Sequence, residues 1–240
     1  MIFDALNWGA FIWFIFCWTG YTLYTKKKAQ SSDCLTSVLY QHRAAWVRNM
    51  LGRDNRIVDI SLLGNLSRMV NFLASTTIFL LAGLLTALNS IDSLVDLLSG
   101  HDFIISPTKA DIQFKIFILI FIFAFAFFRF TWSMRQHTFC SILFGAAPYI
   151  PDANNAKNID CLVKHITRVS DRAGHEFNYG VRAYYFALAF LTWFINPWLF
   201  ILSCSLVVMI LYRREFRSVV LDILIDTKKS FDAMQTQKKK

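Results

Sequence analysis

Apolar residues gather into four long blocks, 5–24, 69–89, 112–133 and 181–212, with charged and polar side chains returning between them. Each block meets or exceeds the roughly 20 residues that a helix needs to cross a bilayer core. The pattern therefore predicts an all-α, polytopic membrane bundle. The fourth block is too long for one straight crossing, because its 32 residues would make roughly 48 Å of helix against a hydrocarbon core of about 30 Å. Within it stands Phe194-Ile195-Asn196-Pro197-Trp198-Leu199. Proline lacks the amide proton and disfavours α conformation in the residue before it, yet it suits the first turn of a new helix. Asn196 is a residue type that caps such a start. The block is then either one kinked, tilted helix, which membranes tolerate, or two short arms joined in a hairpin.

Basic residues bear on that choice. Lys26, Lys27, Lys28, Arg43, Arg48, Arg53 and Arg56 lie between the first two blocks, whereas 90–110 carries Lys109 beside Asp92, Asp96 and Asp102. Arg135, Lys157, Lys164, Arg168 and Arg172 follow the third block. By the positive-inside rule the first and third connections are cytoplasmic and the second is external. The residues after the fourth block include Arg213, Arg214, Arg217, Lys228, Lys229 and Lys238 to Lys240, and only a turn at Asn196-Pro197 returns them to the cytoplasm. This predicts three full spans and a Pro-broken fourth block folded as a hairpin, in a bacterial inner (plasma) membrane, with the N-terminus outside and the C-terminus cytoplasmic. Met1-Ile2-Phe3-Asp4 has no basic residue, so block 5–24 reads as an uncleaved span. Trp193 and Trp198 are expected to bracket the bend at the far interface, and Lys115 to anchor the outer end of the third span.

The polar stretches carry helical periodicity of their own. Leu35, Val38, Leu39, Trp46 and Met50 share a helical face ahead of a break at Gly52-Arg53-Asp54-Asn55, and from Arg56 the pattern runs on into the second span. A separate cytoplasmic helix is expected at 155–178, set off from the third span by Pro148 and Pro151, and another after Arg213. The expected organisation is a membrane domain over 1–212, including cytoplasmic helical loops 25–66 and 134–178, and a basic cytoplasmic tail over 213–240.

Composition agrees with this pattern. The chain is 55% hydrophobic with 17% charged residues, against about 25% in an ordinary soluble domain. Its net charge of +9 flanks apolar blocks instead of forming a basic domain, which argues against a nucleic-acid partner. The five cysteines, Cys17, Cys34, Cys140, Cys161 and Cys204, have neither disulfide-framework nor metal-ligand spacing. The chain carries no P-loop, nucleophile elbow, HExxH pair or dinucleotide fingerprint, so neither an enzyme activity nor a cofactor or metal is expected.

Two groups of residues are candidates for function. Asn71, Ser75 and Thr76 in the second span, Arg129 in the third and Asn196 at the break are pore-lining or packing residues, since small and hydroxyl side chains serve both roles. Arg129 could also snorkel to headgroups. Arg168, Arg172, Arg182 and Tyr184 surround the cytoplasmic mouth of the fourth block, as an interfacial belt or as a site for an anion or an anionic lipid headgroup.

The stretches HRAAWVRNMLGRDNRIVD (42–59), NFLASTTIFLLAGLL (71–85) and NYGVRAYYFALAFLTWFINPW (178–198) together resemble a family of membrane proteins catalogued as domain of unknown function 599. The resemblance implies a multi-span protein with no established chemistry. In that family a glycine often precedes the proline where this chain has Asn196. The sequence as a whole leads to a homo-oligomer in the lipid bilayer with two functional expectations. One is a channel or facilitator for small ions or solutes with anion preference. The other is a non-conducting scaffold that binds anionic lipid or a partner protein through its cytoplasmic helices.

Overall fold

A computed structural model describes residues 5–28, 34–99, 108–151 and 159–237. Lys157, Asp102 and Lys238 to Lys240, which entered the charge count, lie outside the described residues, as does the side chain of Asp96. Among the described residues the chain is helical with no strand. Its helices are α1 (Ala5–Lys28), α2 (Leu35–Leu51), α3 (Ile57–Asn89), α4 (Ile91–Ser99), α5 (Lys109–Ala146), α6 (Ile159–Leu191), α7 (Pro197–Phe216) and α8 (Val219–Gln237), with a 3₁₀ turn at Thr192–Phe194 between α6 and α7. Of these, α3 and α5 are long and apolar enough to cross a membrane.

Three helices extend far beyond the bounds of their apolar blocks. α3, α5 and α6 have 33, 38 and 33 residues, roughly 50 to 57 Å at 1.5 Å per residue. The expected separate helix at 155–178 is, in its described part, the first half of α6, continuous with the fourth block. Likewise α5 does not stop at 133 but runs to Ala146, just short of Pro148. A helix ends where its backbone hydrogen bonds end, not where its surface turns polar. α2 stops at Gly52, where the Gly52 amide donates to the Asn49 carbonyl and the Arg53 amide to the Met50 carbonyl.

Side-chain pairs set the direction of each helix. Trp193 Nε1 donates to Asn7 Oδ1 at 2.9 Å, Phe14 meets Phe190 and Arg182 Nη1 donates to Thr25 Oγ1 at 3.2 Å, so α1 and α6 are antiparallel. Trp13 Nε1 donates to Ser205 Oγ and Tyr24 packs on Tyr212 and Phe216, so α1 and α7 are parallel. α6 and α7 therefore form an antiparallel hairpin about 194–196, not one kinked rod. Phe123 on Tyr184 and Phe130 on Phe177 make α5 antiparallel to α6. Arg56 at the start of α3 reaches the carbonyls of Phe144, Ala147 and Pro148 at the end of α5, so α3 and α5 are antiparallel as well.

The hairpin turn is held chemically. Asn196 Oδ1 accepts from the Trp198 amide at 2.8 Å and Pro197 opens α7. The Trp193 carbonyl, released at the end of α6, accepts from Lys115 Nζ at 2.9 Å. Lys115 is thus not an exposed anchor but a buried cation at a helix C-terminus, where positive charge is favoured, with its ammonium also over the Trp193 and Phe194 rings. Trp193 is buried too, while Trp198 is exposed.

The space enclosed by α1, α5, α6 and α7 is filled with rings. Phe14, Phe186, Phe190, Trp193 and Phe200 are all buried, with Trp193 stacked on Phe200 at 4.9 Å and Phe190 edge-on to Phe200 at 5.3 Å. Gly180 makes room for the buried Phe130 ring, because a Cβ there would lie 2.5–2.8 Å from three of its carbons.

One end of the bundle, where α1, α5 and α7 finish and α3 begins, carries most of the described basic residues and a second core of α2 with the ends of α3, α5 and α6 around Val47, Leu51, Leu63, Phe144 and Ile166. The family-like stretch 42–59 forms the corner of this basic end. The fully buried Asp59 accepts from Trp46 Nε1 at 2.6 Å and from Arg53 Nη1 at 2.5 Å. α8 lies against α2, with its Leu224 carbonyl 2.9 Å from His42 Nε2 and its Phe231 ring beside the same imidazole.

Candidate functional site

At the basic end the last turn of α1, the first turn of α2, the middle of α6 and the end of α7 converge on a cavity of about 360 Å³. Lys26 enters it from α1, Arg172, His175 and Arg182 from α6. Two carboxylates also line it, Glu176 and Glu215. Their engagements decide its character.

Glu176 accepts from Arg129 Nη1 at 2.7 Å. Glu215 accepts from the Thr36 hydroxyl at 2.5 Å and the Thr36 amide at 3.2 Å, which seats an anion at the N-terminus of α2, where helix-end amides favour it. Both acids are thus committed. Among the described residues none of Lys26, Arg172 and Arg182 is ion-paired. Arg182 is half-buried, with its guanidinium over the Tyr21 and Tyr179 rings at 5.1 and 5.7 Å and its Nη1 on Thr25. Tyr179 in turn stands between Arg182 and Arg129, whose guanidinium lies 5.1 Å from its ring.

Beside this cavity the ends of α1 and α7 form an aromatic and cationic cluster. Lys28 Nζ lies over Tyr24, Tyr212 and Phe216 and donates to the Tyr24 hydroxyl at 2.8 Å. That hydrogen bond holds the Lys28 ammonium above its ordinary titration range. Arg214 donates to the Tyr185 hydroxyl across the hairpin.

The sequence-derived site residues separate into different places. Arg172 and Arg182 meet in the cavity, but Arg168 is exposed on α6 and is not among its lining residues. Tyr184 faces the interior instead of headgroups: its hydroxyl pairs with Thr77 Oγ1 at 2.8 Å, and its ring packs on Phe123 and Phe130. Arg129 is neither free nor merely snorkelling, since it is ion-paired to Glu176 and stacked on Phe125 and Tyr179. On α3 the inward residues are Val70, Ala74 and Thr77. Asn71 and Ser75 are exposed, and Thr76 returns its hydroxyl to the Phe72 carbonyl. Asn196 caps α7.

Sequence reasoning missed Glu215 as a site residue because it sits in the run Arg213-Arg214-Glu215-Phe216-Arg217, which reads as a basic tail. The signal was the lone acid in that run. Lys26 was visible only as one of three topological lysines.

A family model matches residues 9–220. The chain belongs to the family described as protein of unknown function, DUF599. The match takes in every residue that lines the cavity, from Thr25 to Glu215, and leaves most of α8 beyond it. Nothing matches the chain among curated proteins, and nothing among solved structures.

Proposed function

We propose that this DUF599 member is an integral protein of a bacterial inner membrane that binds a phosphate- or sulfate-like oxyanion, free or as a lipid headgroup, at its cytoplasmic end without conducting ions. The observation that carries the reading is the cavity itself, where three cations without ion-pair partners among the described residues converge while both neighbouring carboxylates are committed elsewhere. Cations gathered around one concave surface are complementary to an anion, and the planar fork of a guanidinium suits oxyanions in particular. The positive-inside rule seats this basic end in the cytoplasm and the start of α1 outside. Tyr24, Tyr212 and Lys28 then lie at headgroup level, as aromatic and basic interfacial residues do. The ring-filled interior between α1, α5, α6 and α7 opposes passage through a single chain.

A second reading, a channel or facilitator with anion preference formed between copies, is favoured by α3. Its exposed face carries Asn71 and Ser75 at membrane depth, and polar side chains there gain from a neighbouring helix. A homo-oligomer with these faces together would supply one.

The two readings are separated by reconstituting the purified full chain in liposomes and in nanodiscs. The binding reading predicts no chloride or potassium flux above empty liposomes. It also predicts selective retention of phosphatidylglycerol over phosphatidylcholine by native mass spectrometry if the anion is a headgroup, or saturable sulfate binding in a zwitterionic bilayer if it is free. Flux that Ser75→Leu abolishes would instead establish the channel.

A further inference from the structure

We infer that His175 is the fourth ligand of the anion in this cavity and binds it as imidazolium, so that the site takes up a proton together with its anion. The inference rests on the anion-binding reading above and names the residue and the coupling within that site.

The imidazole is one of a chain of three groups. Asp171 Oδ1 accepts from Arg43 Nη1 at 2.7 Å, and Asp171 Oδ2 lies 3.2 Å from His175 Nε2, one helical turn further along α6. The carboxylate accepts the Nε2 proton and leaves Nδ1 as the remaining polar atom of a ring that lines the cavity. A neutral imidazole that donates from Nε2 presents a lone pair at Nδ1, which repels an oxyanion. The imidazolium donates from both nitrogens. Only the charged ring satisfies Asp171 and an anion together.

The backbone is shaped for this chain of groups. A Cβ on residue 174 would lie 2.6 Å from Arg43 Nη2, so Gly174 lets the guanidinium cross from α2 onto α6 and reach Asp171. Arg43 and Asp171 are therefore positioning residues, acting through His175.

The charges around His175 set the sign. Lys26 of α1, Arg43 of α2, Arg172 and Arg182 of α6 oppose a further positive charge, and Asp171, Glu176 and Glu215 favour it. Arg129 of α5 draws on Glu176, Thr36 on Glu215 and Arg43 on Asp171, so an incoming anion is the uncommitted negative charge that tips the ring to imidazolium. By linkage, whatever the anion does for the proton, the proton does for the anion.

The test is calorimetric titration of sulfate into the full chain in zwitterionic nanodiscs at a series of pH values from 5.5 to 8. Sulfate does not titrate in that window, whereas imidazole does. Affinity is expected to fall by roughly tenfold as pH rises, the worth of one charge-assisted hydrogen bond. His175→Gln flattens the profile at the high-pH affinity. Asp171→Asn, which withdraws the carboxylate from the ring, moves the transition to lower pH. Arg43→Gln, which frees that carboxylate for the ring, moves it to higher pH, and Gly174→Ala, which displaces Arg43, moves it the same way. A merely structural role would not shift the profile in opposite directions. A His175→Gln profile that keeps the wild-type slope, or equal sulfate affinity at every pH in the wild type, overturns this inference and leaves the anion site standing. Absence of sulfate binding at pH 5.5 removes both.

Discussion

At the residue scale, several side chains act where their neighbours in the chain gave little hint. Arg56, one of several basic residues in its segment, closes the end of α5 by donating to three carbonyls. Asp59 is fully buried because Trp46 and Arg53 both donate to it, a contact between residues 6 and 13 positions away that helical periodicity does not specify. Gly180 is a packing residue. Gly180→Ala is expected to cost about 1–3 kcal/mol through displacement of the Phe130 ring, seen as a lower midpoint of thermal unfolding in detergent. An unchanged midpoint would mean that Phe130 has room to retreat.

At the element scale, the break at Asn196-Pro197 was fully legible, because proline and a capping asparagine act on the backbone immediately beside them. Removing the cap should be felt in proportion. Asn196→Ala is expected to destabilise the protein by about 1 kcal/mol and Asn196→Gly by only a few tenths, which a urea or thermal series on the two variants measures. A larger loss for glycine than for alanine would remove the cap from the account. The start of α3 and the stop of α2 at Gly52 were legible for the same local reasons. The continuity of α6 was not. Its first half is amphipathic and its second half apolar, so a reading based on polarity divides a helix that hydrogen bonding keeps whole from Ile159 to Leu191. The far end of α5 was cut short for that reason too. Arg172 and Arg182 were legible as site residues because basic groups stood out beside an apolar block. Glu215 and Thr36 were not, since their pairing spans 179 positions.

At the scale of the whole molecule, helix directions put the start of α1 and the end of α7 at opposite ends of the bundle. The α6–α7 hairpin brings Arg213 and Arg214 to the end that also holds Lys26 and Arg56. With that end in the cytoplasm, single cysteines at exposed Lys27→Cys and Arg217→Cys sites, in a background with the native cysteines replaced, are expected to resist an impermeant maleimide in intact cells. Trp198→Cys, at the opposite end, is expected to react. Reaction at Arg217→Cys in intact cells would reverse the orientation. The same assembly gathers the cavity from two helix pairs, α1–α2 and α6–α7, that lie far apart in sequence, which is why the α6 residues could be nominated together but not joined to Lys26, Thr36 and Glu215.

The most direct test of the anion site is a sulfate titration of the wild-type chain against Arg172→Gln and Arg182→Gln at pH 6 and low salt. The account predicts one saturable site per chain, weakened by roughly tenfold or more in each variant as a charge-assisted contact is lost, with Arg168→Gln binding like the wild type. Binding that is unsaturable, or that falls equally in all three variants, would mean general attraction to a basic surface and would contradict it.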